Sequence, residues 1–163
     1  MTEREMQLQG LATEWRTMGY TWRDCALYAL AVGATGEEPQ YTYEKDMQVI
    51  PTFGVLPYWG AVNVTPQFPR PRAVPVLVEE LLQPAQSYVN LDYEFLYHRP
   101  IPAGKGSFVY RDVLTDLFDR GEGRGMAVRS QVEVFDEGGV LLCTNRCTTL
   151  FPTLGGYGGQ PMD

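Results

Sequence analysis

The sequence predicts an α+β domain in which helices come first and a curled antiparallel sheet comes after them. Two observations lead to this class. Apolar residues recur at helical spacing over residues 3–32, whereas from Val76 onward they alternate with polar residues at period two. Short turns separate the alternating stretches, which is typical of an antiparallel meander with one apolar face. A chain of 163 residues is long enough to bury one core of its own, so we expect a single domain.

The composition narrows the classes of partner and site. A formal net charge of −7 argues against DNA or RNA as the main partner, because phosphate binding favours a basic surface, but it leaves room for a nucleotide-bearing ligand such as coenzyme A held by a local cationic patch. No apolar run approaches a membrane span and no signal peptide opens the chain, so we expect a cytoplasmic protein with no membrane partner. The single histidine and the three cysteines show no metal-ligand spacing, so we expect no metal site.

A first amphipathic helix is predicted over residues 3–18, ended by Gly19. We expect it to pack on the domain or on a partner. Its apolar positions lie three or four residues apart: Leu8, Leu11, Trp15 and Met18.

A second helix is predicted over residues 22–32, ended by Gly33. Thr21 suits the N-cap, and Asp24 stands where a capping box places its carboxylate. The helix is apolar on nearly every side, which is typical of a helix buried in a core or an interface. Residues 40–43 then form a short extended piece.

Residues 44–59 form the segment around which the domain is organised. Pro51 suits the first turn of a helix, because its missing N–H would be unpaired there anyway. Pro57 comes six residues later and removes a ladder bond, which limits this helix to one or two turns. Residues 60–75 carry four further prolines and are expected to be extended and irregular.

Four strands are predicted in the second half of the chain, over residues 87–97, 108–118, 126–135 and 140–151. Residues 76–82 fit either a strand or a short helix. Residues 155–159 are too glycine-rich to form an ordered element alone, and we expect a flexible tail there. The first of the four strands is expected to place these side chains on one face: Val89, Leu91, Tyr93, Phe95 and Tyr97.

Several short segments within this order of elements resemble those of a known family. In this order, over residues 20–159, they resemble the N-terminal half of the double hot-dog, MaoC-like (R)-specific enoyl-CoA hydratases, which are known as hydratase 2 and form part of peroxisomal multifunctional enzyme type 2. The matching segments are residues 28–34, 43–44, 50–55, 98–102, 119–123, 145–147, 150–151 and 155–159.

The resemblance implies a single hot-dog fold: a curled antiparallel sheet around a shortened central helix, preceded by N-terminal helices. It implies a hot-dog domain over residues 20–153 that is followed by a glycine-rich tail over residues 154–163. Residues 1–19, which we assign to the N-terminal amphipathic helix from its apolar spacing, lie outside the resemblance. In the resembled enzymes the first hot-dog lacks the full central helix, and the vacated room accommodates a bulky acyl chain. The prolines after residue 50 favour a short helix independently.

The resembled enzymes carry their catalytic Asp and His in the second hot-dog, spaced Asp-x4-His, and this sequence contains no such motif. Hydrating an enoyl thioester requires proton transfers. A carboxylate and an imidazole that lie near the same water molecule supply these transfers. We therefore expect a non-catalytic subunit that forms the acyl tunnel and takes the dyad from a partner hot-dog chain. Two alternatives stay open: a homodimeric dehydratase or thioesterase that uses Glu44 or Asp92 as base, and an acyl-CoA-binding module without catalysis.

Glu44 and His98 are the candidates for an acid–base role in this chain. Glu44 matches a glutamate of the family's first half, and a helix-cap or salt-bridge carboxylate is its alternative. His98 lies at a strand end, where a surface histidine is the alternative. The residues expected along the acyl tunnel, which plain core packing would also explain, are Pro51, Thr52, Phe53, Val55, Leu56 and Trp59.

Coenzyme A is expected as part of the substrate, and no bound cofactor is expected. The backbone N–H groups of residues 155–159 could bind an anion. This is the weaker alternative, and we expect a flexible tail there instead. Four cationic side chains would attract the phosphates of coenzyme A, and scattered surface charge is the alternative explanation for them. They are Arg70, Arg72, Arg99 and Lys105.

Overall fold

The structure is a computed structural model that describes residue 8 and residues 10–59 and 88–162. Within these residues, five strands form one antiparallel sheet in the order β1-β3-β4-β5-β2. The predicted α+β class, with a curled antiparallel sheet and few helices, is confirmed. The elements in chain order are β1 Arg16–Tyr20, α1 Trp22–Ala31, α2 Pro39–Thr42, a 3₁₀ helix Pro51–Val55, α3 Leu56–Trp59, β2 Val89–Tyr97, β3 Gly106–Asp119, β4 Met126–Phe135 and β5 Leu141–Phe151.

The four strands predicted in the second half of the chain are confirmed, with ends that differ by no more than two residues. In β4, Val132 and Val134 are buried on one face while Glu133 between them is exposed. The turn to β5 is closed by the N–H of Val140, which donates to the Asp136 carboxylate at 2.8 Å. Gly139 takes a φ of +80° in this turn, a conformation that glycine adopts without strain.

The face of the sheet that carries Val132 and Val134 is the inner face, and the face that carries Glu133 is the outer face. Two clusters of buried apolar side chains cover the inner face. The larger cluster includes Met18, Tyr20, Cys25, Phe53, Tyr58, Phe108, Tyr110, Val132, Val134, Cys143 and Cys147. The smaller cluster joins one end of the sheet to both ends of the chain through Leu8, Met126, Val128, Phe151 and Leu154.

Helix α1 begins as predicted but is buried on one side only. The N–H and Oγ1 of Thr21 both donate to the Asp24 carboxylate at 2.7 Å, which forms the expected cap. The helix buries its small residues on the sheet. Leu27, Leu30 and Val32 remain 43%, 52% and 54% exposed, so this side is not buried in the core of the chain itself, and its burial in an interface stays a prediction.

The predicted helix over residues 3–18 is wrong for its described second half. Residues 16–20 form β1 instead, which pairs with β3 from Arg16 opposite Tyr110 to Tyr20 opposite Gly106. The alternation of buried Met18 and Tyr20 with exposed Thr17 and Gly19 has period two, and pairing with β3 outweighs the weaker helical spacing. Residues 16–19 therefore belong to the sheet, and residues 1–7 and 9 lie outside the described part.

Two smaller differences concern local backbone conformation. Residues 40–43 were expected to be extended, but Pro39–Thr42 forms one helical turn because Pro39 takes the first helical position. In β2 a bulge between Asn90 and Asp92 shifts the register, so the single apolar face predicted for residues 89–97 is wrong before residue 92. Asn90 shares the inner face with Tyr93, while Leu91 is the extra residue of the bulge.

The predictions for residues 60–75 and 76–82 lie outside the described residues. No described helix is both long enough and apolar enough to cross a lipid bilayer.

Candidate functional site

The 3₁₀ helix and α3 together lie on the inner face of the sheet, and the predicted helix start at Pro51 is confirmed. Pro57 falls in the first turn of α3, where no N–H is needed, so the chain passes it without a break. Residues 60–87, which come after Trp59, are outside the described part of the chain. Within the described part of the chain, the segment over residues 51–59 therefore covers the centre of the inner face.

Phe53 fixes this segment to the core. Its side chain is 1% exposed and lies against three aromatic rings, with ring centroids 5.4 Å from Tyr20, 5.5 Å from Tyr28 and 5.7 Å from Phe108. The Tyr28 hydroxyl also donates to the carbonyl of Thr52 at 2.9 Å. Aromatic contacts of this kind stabilise by about 0.5–1.5 kcal/mol each beyond the area they bury. Phe53 is thus a packing residue of the segment.

Gly54 brings the segment within hydrogen-bond distance of β5. Its carbonyl accepts from Asn145 Nδ2 at 3.1 Å and from Cys143 Sγ at 3.4 Å. A Cβ at this position would lie 2.5 Å from Cys143 Sγ, so only glycine fits. The buried amide of Asn145 therefore holds the 3₁₀ helix on the sheet, and the lack of a side chain at Gly54 allows the helix to come this close.

Asn145 also connects the segment to the edge strand. It is fully buried, and its Oδ1 accepts a hydrogen bond from the Tyr93 hydroxyl. Tyr93 in turn packs edge-on against Tyr58 with 5.3 Å between ring centroids. The sequence offered one signal for this network, since Asn145 is an amide at an inner-face position of β5, between Cys143 and Cys147.

Two thiols on β5 lie beside this network. Burial raises the pKa of Cys143 to about 12, and burial also raises the pKa of Cys147. The pKa of Tyr58 is raised by burial and by the hydrogen bond between its hydroxyl and Cys147 Sγ. These groups are neutral at physiological pH, so neither thiol has the thiolate character of a nucleophile. The inner face is polar but not reactive at this point.

The residues predicted to line an acyl tunnel divide into three groups. Phe53 belongs to the core, Pro51 and Thr52 are exposed, and Val55 and Leu56 are half-buried. The side chain of Trp59 lies outside the described residues. The half-buried pair leaves part of its apolar surface exposed, and we refer to this surface as the margin of the inner face.

The two candidate acid–base residues are not joined to each other by any contact in the described chain. Glu44 is exposed in the loop before Pro51 and forms no ion pair or hydrogen bond with a described residue. His98 is exposed just after β2, and its Nε2 lies 3.0 Å from Thr144 Oγ1. No carboxylate in the described part of the chain bonds to the imidazole.

Arg99 and Lys105 are both exposed and both lie in the loop between β2 and β3. Arg70 and Arg72 lie outside the described residues. A groove of about 550 Å³ lies on the outer face, away from the segment over residues 51–59, and it is lined by charged and polar side chains. Its arginines are engaged within the chain, since Arg146 pairs with Glu94 at 2.9 Å and Arg129 lies 3.9 Å from Asp116.

A clamp that could not be foreseen from the sequence joins Asp119 to the glycine-rich segment. The Asp119 carboxylate accepts N–H bonds from Gly156 at 2.7 Å and from Gly158 at 2.6 Å, and it also accepts from Gly121 and Gly159. The prediction of a flexible tail over residues 155–159 is therefore wrong. The weaker alternative, N–H groups presented to an anion, describes the geometry, but the anion is the chain's own carboxylate.

These bonds also set the charge of the clamp. The backbone N–H of Gly156, together with the smaller effects of Gly121, Gly158 and Gly159, lowers the pKa of Asp119 from 3.8 to about 2. A Cβ on Gly155 would lie 2.4 Å from the carbonyl oxygens of Gly121 and Gly125, so the approach requires glycine. The sequence showed Asp119 and the glycines over residues 155–159 as two separate motifs, but it did not show that they are in contact.

The comparisons with known proteins agree on the family and the fold. A family model described as MFE-2 hydratase 2 N-terminal domain matches residues 18–152. The chain is 30% identical over 149 residues to a peroxisomal enoyl-CoA hydratase 2 of Arabidopsis thaliana, an alignment that covers 85% of this chain and 44% of that protein. The chain thus spans less than half the length of this relative. The relative is named as peroxisomal, and the cytoplasmic location expected from the sequence stays a prediction.

Solved structures show the same fold. A MaoC-like dehydratase from Phytophthora capsici has a TM-score of 0.72 and 21% identity, covering 96% of this chain and 51% of that one. A chain of the ChsH1-ChsH2 complex from Mycobacterium tuberculosis has a TM-score of 0.66 and 14% identity, covering 91% of each chain. At these identities the likeness shows the fold alone.

Replacing Gly54 tests the contact between the segment and β5. Gly54→Ala is expected to lower the free energy of unfolding by about 2 kcal/mol, because the new methyl group forces Cys143 or the 3₁₀ helix to move. Gly36→Ala is the control, since no atom lies within 4 Å of its Cβ position. Urea denaturation measures both variants. Equal midpoints for Gly54→Ala and the wild type would contradict the close approach.

Replacing Asp119 tests the clamp through its pH dependence. Because the folded pKa is lowered, the stabilisation from Asp119 is complete above its unfolded value of 3.8 and is lost as the pH falls toward about 2. Asp119→Asn is expected to lower the free energy of unfolding by about 2 kcal/mol at neutral pH and by much less near pH 2. Asp116→Asn, on the same strand, is the control. A deficit that stays constant over this pH range would show that Asp119 acts through packing instead.

Proposed function

The chain belongs to the MFE-2 hydratase 2 N-terminal domain family, and we propose that it is the non-catalytic, acyl-tunnel-forming subunit of a heteromeric MaoC-like enoyl-CoA hydratase. In this proposal a partner hot-dog chain supplies the Asp and His of the dyad. The assembled enzyme adds water to 2-enoyl-CoA thioesters, with coenzyme A as part of the substrate and no bound cofactor.

The observation that carries the proposal is the environment of His98, which is the single histidine of the sequence. Its Nε2 is engaged by Thr144 Oγ1, and no described carboxylate bonds to it. Hydration needs a base to activate water at the β-carbon and an acid to protonate the α-carbon, and a carboxylate and an imidazole acting on one water supply both. The sequence has no Asp-x4-His motif to provide that pair.

The cover of the inner face supports the tunnel. Val55 and Leu56 are half-buried on the segment over residues 51–59, and Pro51 and Thr52 precede them at the surface. An acyl chain that lay along this margin would complete the burial of the half-buried pair, at roughly 25 cal/mol per Å² of apolar surface. Trp59 is the further candidate for this lining. Glu44 lies in the loop that leads into the segment, and we assign it no step.

The cationic side chains of the β2–β3 loop support the binding of coenzyme A. Arg99 and Lys105 are exposed on one loop in a chain whose net charge is −7, so they offer a local attraction for phosphate groups. Arg70 and Arg72 are the further candidates for this role.

The partner chain is supported by the edge strand β2 and by a related assembly. Strand β2 pairs only with β5 among the described strands, so one of its edges is open to a second sheet. The ChsH1-ChsH2 complex, which has the same fold, is by its name an assembly of two different chains. A side-by-side pair of hot-dog sheets would place the margin of the inner face next to the dyad of the second chain.

Turnover by the chain alone and in a mixture tests the proposal. The purified chain is expected to hydrate an unsaturated acyl-CoA about 10²–10⁴ times more slowly than the same chain co-expressed with a hot-dog chain that carries the Asp-x4-His motif. His98→Ala is the matched variant, and it is expected to leave the rate of the mixture unchanged because His98 moves no proton. Loss of absorbance of the enoyl thioester measures the rate.

Four outcomes decide between the candidate functions. Fast turnover by the chain alone that His98→Ala abolishes would contradict the subunit proposal, and turnover by the chain alone that Glu44→Gln or Asp92→Asn abolishes would establish the homodimeric enzyme. Binding of acyl-CoA without turnover in either setting would establish a binding module. Turnover only in the mixture supports the proposal.

A further inference from the structure

Strand β2 exposes an edge of the sheet that is both long and apolar. It runs for nine residues, and its far side meets no other described strand. Val89, Leu91 and Tyr97 are 51%, 44% and 42% exposed. An edge strand of this length and composition is a site for pairing with another strand, because an edge presents N–H and C=O groups that are not bonded within the sheet. A second chain at this edge is therefore expected, and its chemistry can be read from β2.

Two carboxylates mark the outer face of this edge. The bulge before Asp92 places Asp92 and Glu94 on the outer face, opposite Thr148 and Arg146 of β5. Asp92 Oδ1 accepts the N–H of Thr148 at 3.1 Å, and Glu94 Oε2 lies 2.9 Å from Arg146 Nη1. The Glu94 side chain nevertheless remains 54% exposed. On the inner face the same edge carries aromatic residues, Tyr93, Phe95 and Tyr97.

A second copy of this chain would meet like charges at this edge. Two copies of β2 related by a two-fold axis pair antiparallel, and residues directly opposite each other lie on the same face. The register with the fullest overlap is centred on Tyr93, and it places Asp92 of each copy opposite Glu94 of the other. Registers centred on Asp92 or Glu94 place identical carboxylates opposite each other. A shift by one residue would instead turn inner-face side chains to the outside.

We propose that the carboxylates of Asp92 and Glu94 select a different chain over a second copy at this edge. The strand they fit carries apolar side chains on the inner face and Lys or Arg on the outer face opposite the two carboxylates. The net charge of −7 also opposes self-association, because two copies of the chain repel each other. The inference rests on the proposed function only in identifying this different chain as the hot-dog partner.

Self-association of neutralised variants tests the selection. At low ionic strength, Asp92→Asn/Glu94→Gln is expected to dimerise about tenfold more tightly than the wild type, because the contact between Asp92 and Glu94 is relieved twice by symmetry. The control, Glu133→Gln/Glu137→Gln, removes the same charge from exposed positions outside β2 and is expected to match the wild type. Sedimentation equilibrium measures the dimerisation constants. A wild type that dimerises as tightly as the neutralised β2 variant would overturn the proposal.

A charge-reversed copy serves as a surrogate for the partner. The wild type mixed with Asp92→Lys/Glu94→Lys is expected to form a mixed dimer more tightly than either chain dimerises alone, and about 0.5 M salt is expected to weaken it. Fluorescence anisotropy of a labelled wild-type chain reports the mixed dimer. A mixture no tighter than the wild type alone would overturn the proposal. Neither measurement uses turnover, so failure here leaves the hydratase role standing, and failure of reconstitution leaves this result standing.

Discussion

The hydrogen bond from Asn145 to the carbonyl of Gly54 is the contact on which the rest of the architecture depends. It fixes the segment over residues 51–59 to the middle of β5, and the missing side chain of Gly54 allows the two backbones to come this close. Because Asn145 also accepts from Tyr93, the same buried amide links the cover of the inner face to the edge strand β2. The proposed acyl margin and the proposed docking edge are thus joined through one fully buried side chain, whose loss would leave several polar groups without their bonds.

Much of the fold can be derived from local patterns in the sequence. Period-two alternation located β2 to β5, and Thr21 with Asp24 located the start of α1. The errors fall where tertiary contacts overrule local spacing: residues 16–20 pair with β3 although their apolar spacing also fits a helix, and the bulge at Leu91 reverses the faces of β2 before Asp92. Such contacts join residues far apart in the chain, and no local pattern encodes them.

The candidate site was less predictable than the fold, for the same reason. Pro51 was recognisable as a helix start, but the sequence did not reveal that the Asn145 side chain would donate a hydrogen bond to the Gly54 carbonyl. The clamp illustrates the point further. Asp119 and the glycines over residues 155–159 were each noticeable, yet only the fold shows that the carboxylate binds their N–H groups and so orders a segment whose composition is typical of a flexible tail.

In the proposed assembly the chain is one half of a pair. It provides the inner-face cover, and a second hot-dog chain, docked along β2, provides the proton-transferring residues. Hydrogen–deuterium exchange of β2 amides, measured before and after addition of an active dyad-bearing hot-dog chain, tests this most directly. We expect Val89–Tyr97 to exchange rapidly at its open edge in the chain alone and to become protected in the complex, while the outer strand β1 is unchanged. Restored turnover without any new protection in β2 would contradict this pairing.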